Sequence, residues 1–158
     1  MPLSNKLIKF LEEKKVSYKL LRNETAYTAQ EVAHAVHISG KELAKTIIAH
    51  ADGKFVMAVL PAPHRVNFKS LKQVLKAKDV RLATEDELKQ LFPDCELGAM
   101  PPIGPLYNLP VYVAKPLSED KEIAFNACTH VDAVKMSYSD FEKLVNPAVA
   151  EFSELPPS

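Results

Sequence analysis

The stretch AKTIIAHADGKFVMAVLP, residues 44–61, constrains the fold of this chain more than any other. Two apolar, partly β-branched runs flank Asp52 and Gly53. Asp-Gly suits the positive φ angles of a tight two-residue turn, and the flanking runs suit a pleated sheet surface. The pattern predicts a β-hairpin at the heart of the chain.

Helical and strand patterns alternate around it. The segment MPLSNKLIKFLEEKK is charged throughout; Ser4 can cap a helix whose Leu7, Ile8 and Leu11 form an apolar stripe. VSYKLL alternates as a strand, and Thr28 with Glu31 makes a capping box for a short helix that stops near Ser39 and Gly40. Beyond the hairpin, FKSLKQVLKAK reads as a helix, VRLA as a short strand, and TEDELKQLF as a helix opened by a capping box of Thr84 and Glu87. From Phe92 to Pro116 the texture changes: six of the twelve prolines fall there, which predicts loop and edge rather than helix interior. LPVYVAK, EIAFNA and VDAVKMSY read as later strands, SDFEKLV as a last helix capped by Ser139 with Glu142, and the LPPS tail as frayed. Connections this short between strands favour an α+β fold with a mixed sheet over a doubly wound parallel one.

Size and composition agree. With 158 residues, 47% hydrophobic and 25% charged, the chain is expected to form one domain over residues 1–158. A chain of this length buries roughly 68–70% of its unfolded surface, so neither disulfide nor metal is needed to hold it together. Cys95 and Cys128 form no CxxC pair and no zinc-like spacing with the five histidines; with no signal-peptide pattern at the N-terminus, the expectation is a reducing cytoplasm. No segment is long and apolar enough to span a membrane. Twenty basic and twenty acidic residues cancel, so any contact with nucleic acid should be local.

Familiar catalytic signatures are absent: no GxSxG, no phosphate-binding GK[ST] loop, no HExxH and no GxGxxG. Lys45, beside Thr46, opens a largely apolar strand; it is either a surface lysine or a point charge facing a pocket. Asn126, Thr129 and His130 place three polar groups in one connection, where a water could be oriented or where they are simply solvated. GAMPPIG, residues 98–104, holds two of the four glycines and two adjacent prolines. It is either a rigid crossover or a loop whose N–H groups near Gly98, Ala99 and Met100 converge on a developing oxyanion. Lys69, Lys72 and Lys76 share a helical face, ordinarily a solvated one. Cys128 with His130 lacks a third group to orient a nucleophile and base, and a metal site has still less support.

Three of these features, KTIIAH, the GxxxP loop within GAMPPIG, and FNACTH followed by VDAVKMSYSDFEKL, occur in an order and spacing that resembles the YbaK family of aminoacyl-tRNA deacylases. That domain also occurs as the editing domain inserted in bacterial prolyl-tRNA synthetases. The resemblance runs from about Thr28 to Val145. It implies a twisted, barrel-like mixed sheet flanked by helices, with hydrolysis of the ester joining a wrong amino acid to a tRNA, here a small amino acid on proline tRNA. It further implies catalytic roles for Lys45, at the acceptor end, for Gly98, at the scissile carbonyl, and for His130, in the pocket lining. Thr46, Ala99, Met100, Pro101, Pro102, Ile103, Gly104, Asn126 and Thr129 would bind substrate. Relatives tend to carry glycine where this chain has Cys128, which bears on the pocket and the nearby turn. No cofactor or metal is expected; the partners would be a tRNA acceptor end and a synthetase. The rival expectation is a non-catalytic module that binds an acceptor end or a synthetase, and a third is a hydrolase of small free esters or amides.

Overall fold

The computed structural model describes residues 5–22 and 42–156. The expected cap at Ser4, the capping box of Thr28 and Glu31, and the stop near Ser39 and Gly40 lie outside them. The described elements are α1 (Asn5–Glu13), β1 (Tyr18–Arg22), β2 (Ala44–Ala51), β3 (Lys54–Pro61), β4 (Arg65–Val66), α2 (Phe68–Leu75), β5 (Val80–Leu82), α3 (Glu85–Leu91), β6 (Val111–Ala114), α4 (Lys115–Ser118), β7 (Glu122–Asn126), β8 (Asp132–Ser137), α5 (Tyr138–Val145), β9 (Ala148–Ala150) and β10 (Ser153–Glu154).

The hairpin forms as its turn dictates. β2 and β3 pair antiparallel from Ala44↔Pro61 to Ala51↔Lys54, with Asp52 at φ 47° and Gly53 at φ 88°. Two left-handed residues give the turn a twist that matches the strands. The Asp52 carboxylate also accepts N–H bonds from Lys78 and Asp79, which hold its pKa below the usual carboxylate range and tie the turn to the approach of β5.

β3 lies in the middle of a five-stranded sheet ordered β5-β2-β3-β6-β9, antiparallel to β2 and parallel to β6. Both its faces are covered. Met57 and Val59 join a core with Leu7 and Leu11 of α1, Phe125 of β7 and Phe141 of α5, while Val56, Ala58 and Leu60 pack with Leu71 of α2 and with Phe152. A strand buried on two faces has no reason to alternate, which is why KFVMAVLP is nearly continuous in its apolar character. Each fully buried Leu, Met or Phe here contributes about 1.5–3 kcal/mol relative to exposure.

A second sheet, β1-β8-β7, is antiparallel throughout, and β10 pairs with β4. The architecture is the expected α+β mixed sheet with helices, but it is open rather than barrel-closed: three-residue β5 and β9 are the outer strands of the larger sheet. LPVYVAK forms a strand as expected, β6, but inside the sheet rather than at its edge, since it lies between β3 and β9. Pro110 is tolerated because it precedes the strand and contributes a carbonyl, which accepts from Met57 N–H at 2.9 Å. The last helix starts at Tyr138, capped by Ser137, whose hydroxyl accepts from Asp140 N–H; Ser139 is already inside it.

One contact between the sheets positions everything that follows. Leu43, just ahead of β2, makes a parallel bridge with Ala124 of β7. Leu43, Ala124 and Ala133 form a small apolar cluster with Leu21 and Ala62 packed against it.

Candidate active site

Because that bridge is parallel, two residues further along each strand Lys45 and Asn126 come to adjoining ends of β2 and β7. Both line a cavity of about 220 Å³, together with Thr46, Gly98, Met100 and His130. Leu43, Ala44 and Ala62 complete its wall. Four stretches of chain, 43–46, 62, 98–100 and 126–130, thus supply one concave surface containing an ammonium, an imidazole and a carboxamide. A larger groove of about 800 Å³ lies at the opposite, turn end of the hairpin and contains none of the candidate residues.

Lys45 is half-buried, and loss of hydration pushes its pKa below that of a free lysine. Its charge is felt at His64, whose pKa is lowered first by burial and then by Lys45. His64 Nδ1 lies 3.0 Å from the Ser153 hydroxyl, so β10 holds this ring near the lysine.

Gly98 takes φ 84°, a conformation that side chains rarely adopt, and a Cβ there would lie 3.4 Å from His130 Cε1. The glycine therefore lets the loop pass directly beside the imidazole. Around it the loop is fastened to the β7–β8 connection by four hydrogen bonds. Glu96 N–H donates to Cys128 O at 2.8 Å, Cys128 N–H to Ala99 O at 2.9 Å, and His130 N–H to Glu96 Oε1 at 2.7 Å. The fourth joins His130 Nε2 to Leu97 O at 2.8 Å. A carbonyl only accepts, so Nε2 carries the proton in this bond and the neutral ring keeps its lone pair on Nδ1.

The three expected oxyanion donors are not equivalent. Ala99 N–H already donates to Glu96 O at 3.1 Å and is committed to the loop's own turn. The N–H groups of Gly98 and Met100 find no backbone acceptor among the described residues. Ala99, Pro101, Pro102, Ile103 and Gly104 are buried, but none of them is among the residues lining the cavity. Ile103 belongs to the main core. At Gly104 an added Cβ would collide with the Leu109 carbonyl and Val111 Cγ2, so close packing requires glycine there. Gly104→Ala should cost about 1–3 kcal/mol through overpacking. The check is the urea midpoint at constant m-value; an unchanged midpoint would mean that the contact yields freely.

Thr129 is likewise buried and outside the lining. Its hydroxyl donates to Asp132 Oδ2 at 2.6 Å and accepts from Asp132 N–H at 3.0 Å, closing the connection that presents His130. Lys69, Lys72 and Lys76 are exposed on and just after α2, and none lines the cavity.

The cysteines correct the sequence reading: Cys95 and Cys128, 33 residues apart, are disulfide-bonded. With Asp94 they are the one grouping of metal-ligand side chains among the described residues, and sulfurs bonded to each other are not thiolate ligands. Cys128 sits at φ 72°, the conformation that a glycine would take freely. Its side chain is fully buried behind the loop and does not line the cavity, so Cys128 leaves the pocket open.

Leu43, Ala44, Ala62, Glu96 and Leu97 were not singled out in the sequence. Three are small or apolar residues with no chemical signature, and Leu97 acts through its carbonyl. Only Glu96, an acid two residues before Gly98, offered a readable signal.

Known proteins share this arrangement of chain. A crystal structure of a proposed trans-editing enzyme for prolyl tRNA synthetase superposes with a TM-score of 0.85 at 20% identity, covering 97% of this chain and 99% of that one. The proline–tRNA ligase of Bacillus mycoides is 33% identical over 75 residues, 48% of this chain and 13% of the ligase. That of Geobacillus thermodenitrificans is 29% identical over 89 residues, 56% of this chain and 16% of the ligase, so the chain spans a small part of these relatives. The family described as the aminoacyl-tRNA editing domain matches residues 23–144, which carry every residue lining the cavity, and the chain belongs to that family.

Proposed function

We propose that this chain hydrolyses the aminoacyl ester of mischarged tRNA in trans, removing a small amino acid from proline tRNA, with residues 1–158 acting as one editing domain in the cytoplasm. The observation that carries the reading is the cavity: about 220 Å³, below the roughly 300–1,000 Å³ of common ligand pockets, with Lys45, His130 and Asn126 at its wall. A synthetase separates amino acids that differ by a methylene only about 10–200-fold, so a second site that admits only the smaller product supplies the missing selectivity.

Each residue then has a task. The Lys45 ammonium holds the phosphate-ribose end of the acceptor as a point charge. The N–H groups of Gly98 and Met100 receive the carbonyl oxygen as it gains charge. Asn126 and the Nδ1 lone pair of His130 orient a water toward the carbonyl carbon. Water oxygen bonds to that carbon, the ester C–O bond breaks, and a proton passes to the departing ribose oxygen with help from its neighbouring hydroxyl. No protein nucleophile is called for, because an aminoacyl ester is already activated. The balanced formal charge of the chain fits a contact limited to the acceptor end, with a synthetase as the other partner.

The test is ester loss from proline tRNA carrying alanine, serine, cysteine or threonine, run beside Lys45→Ala. Turnover is expected for a small side chain and not for proline. Binding without turnover across the panel would make the chain a recognition module instead, and hydrolysis of small free esters unaffected by intact tRNA would remove the tRNA assignment.

A further inference from the structure

We propose that Cys95 and Cys128 are a reversible thiol–disulfide pair that clamps the Gly98 segment against the His130 segment, so that thiol redox state sets the tightness of the candidate cavity. Two independent features of the chain's layout carry this. The cysteines lie on two of the segments that wall the cavity: Cys95 is three residues before Gly98, and Cys128 two residues before His130. Their Cα atoms are 4.2 Å apart, and the backbones beside them are cross-linked by the Glu96–Cys128 and Cys128–Ala99 hydrogen bonds. The covalent link thus reinforces a junction that the fold has already built.

The surroundings suit a bond that opens and closes. Cys128 is fully buried while Cys95 is only partly so, which makes Cys95 the sulfur that a small reagent reaches first. The Tyr107 hydroxyl lies 3.6 Å from Cys95 Sγ and 3.8 Å from Cys128 Sγ, and donates to Asp94 Oδ2 at 3.3 Å. It gives the thiols a polar neighbour when they are free. The exchange partner is a small disulfide of the glutathione type. The Cys95 thiolate attacks it, forming a mixed disulfide and expelling one thiolate; the Cys128 thiolate then attacks Cys95 Sγ, forming the internal bond and expelling the second. An electron pair passes from the two cysteines to the small disulfide, and the two cysteine protons end on the two thiols released. Reduction by a dithiol reverses each step. Two free thiols cannot sit as close as two bonded sulfurs, so reduction slackens the junction and loosens the Gly98 N–H group relative to His130.

The functional half of the inference rests on the deacylase reading; the bond and the clamp do not. The protein is equilibrated with reduced or oxidised glutathione and three properties are read. Alkylation after unfolding under conditions that block exchange should label two thiols in the reduced form and none in the oxidised. The melting temperature should fall by about 5–10 °C on reduction, as removal of a cross-link closing a loop of this length implies for a chain of this size. Amide exchange at 96–100 and 128–130 should quicken on reduction, with deacylation falling about tenfold and recovering on reoxidation. Cys95→Ser should lose all redox response, and Cys128→Ala provides a second variant if the serine disturbs packing. Two labelled thiols after oxidation, or equal exchange in the two forms, would overturn the clamp. Equal deacylation rates despite a changed exchange pattern would overturn the control of activity. Absence of deacylation in both forms would count against the proposed function and leave the labelling and exchange results to decide the clamp.

Discussion

Lys45→Met is expected to lower single-turnover deacylation by about 10²–10³ while leaving the melting temperature equal or higher. The magnitude is that of removing one pre-set electrostatic contact from a partly dehydrated site. Opposite signs for activity and stability follow from the depressed pKa. Burial disfavours the Lys45 ammonium, so its charge costs stability in the folded state wherever it is present, and methionine keeps the stem without that cost. The same shift predicts a pH limb. The charge is present below the folded-state pKa and lost as pH rises through it, at a pH below the 10.5 of free lysine. Background-subtracted activity should fall there, and Lys45→Arg should remove the limb. A wild-type rate in Lys45→Met would sink the assignment of the site.

Gly98→Val should be nearly as harmful, at about 10²-fold or more, for a different reason. At φ 84° a β-branched residue costs roughly 1–3 kcal/mol of backbone strain, and its Cβ would begin 3.4 Å from His130 Cε1. The branch must then displace the imidazole, enter the cavity or move the loop. Gly98→Ala, with the same strained angle but no branch, should fall between wild type and valine. Single-turnover rates, with circular dichroism as a check on folding, make the comparison. If all three proteins deacylate equally, the loop is a connection and nothing more.

What could be read from the sequence was what local chemistry determines. Asp52-Gly53 specifies its own turn, and Thr84 and Glu87 close their capping box, with Thr84 N–H donating to the Glu87 carboxylate at 2.8 Å. Arg81 reinforces the same carboxylate and helps to hold its pKa at about 2. Lys45, Gly98 and His130 were legible through their order and spacing, and they do share one cavity. What escaped depends on contacts between distant segments. Ala62 reaches the cavity only because Ala44 pairs with Pro61. Ser137 wins the cap from Ser139 because β8 runs on to that residue before the helix turns. Thr129 is the local exception: its partner Asp132 lies only three residues on, and that short-range pairing takes the hydroxyl that would otherwise be a ligand. The bond between Cys95 and Cys128 closes over 33 residues and has no local spacing to betray it. β9 and β10, three and two residues long, have no period of their own; pairing with β6 and β4 makes them strands.

Those late strands bear on how the protein can be handled. The family match ends at residue 144, before β9 and β10, and begins at residue 23, after α1 and β1. A fragment trimmed to those limits would leave β6 without β9 and β8 without β1, and would strip Leu7, Leu11 and Phe152 from the buried cores. Unpaired strand edges beside exposed apolar surface are templates for pairing with another molecule. β9 thus acts as a guard strand over β6 in the sheet that carries the lysine, and β1 does the same for β8 in the other sheet, each keeping its neighbour's edge from recruiting a second copy.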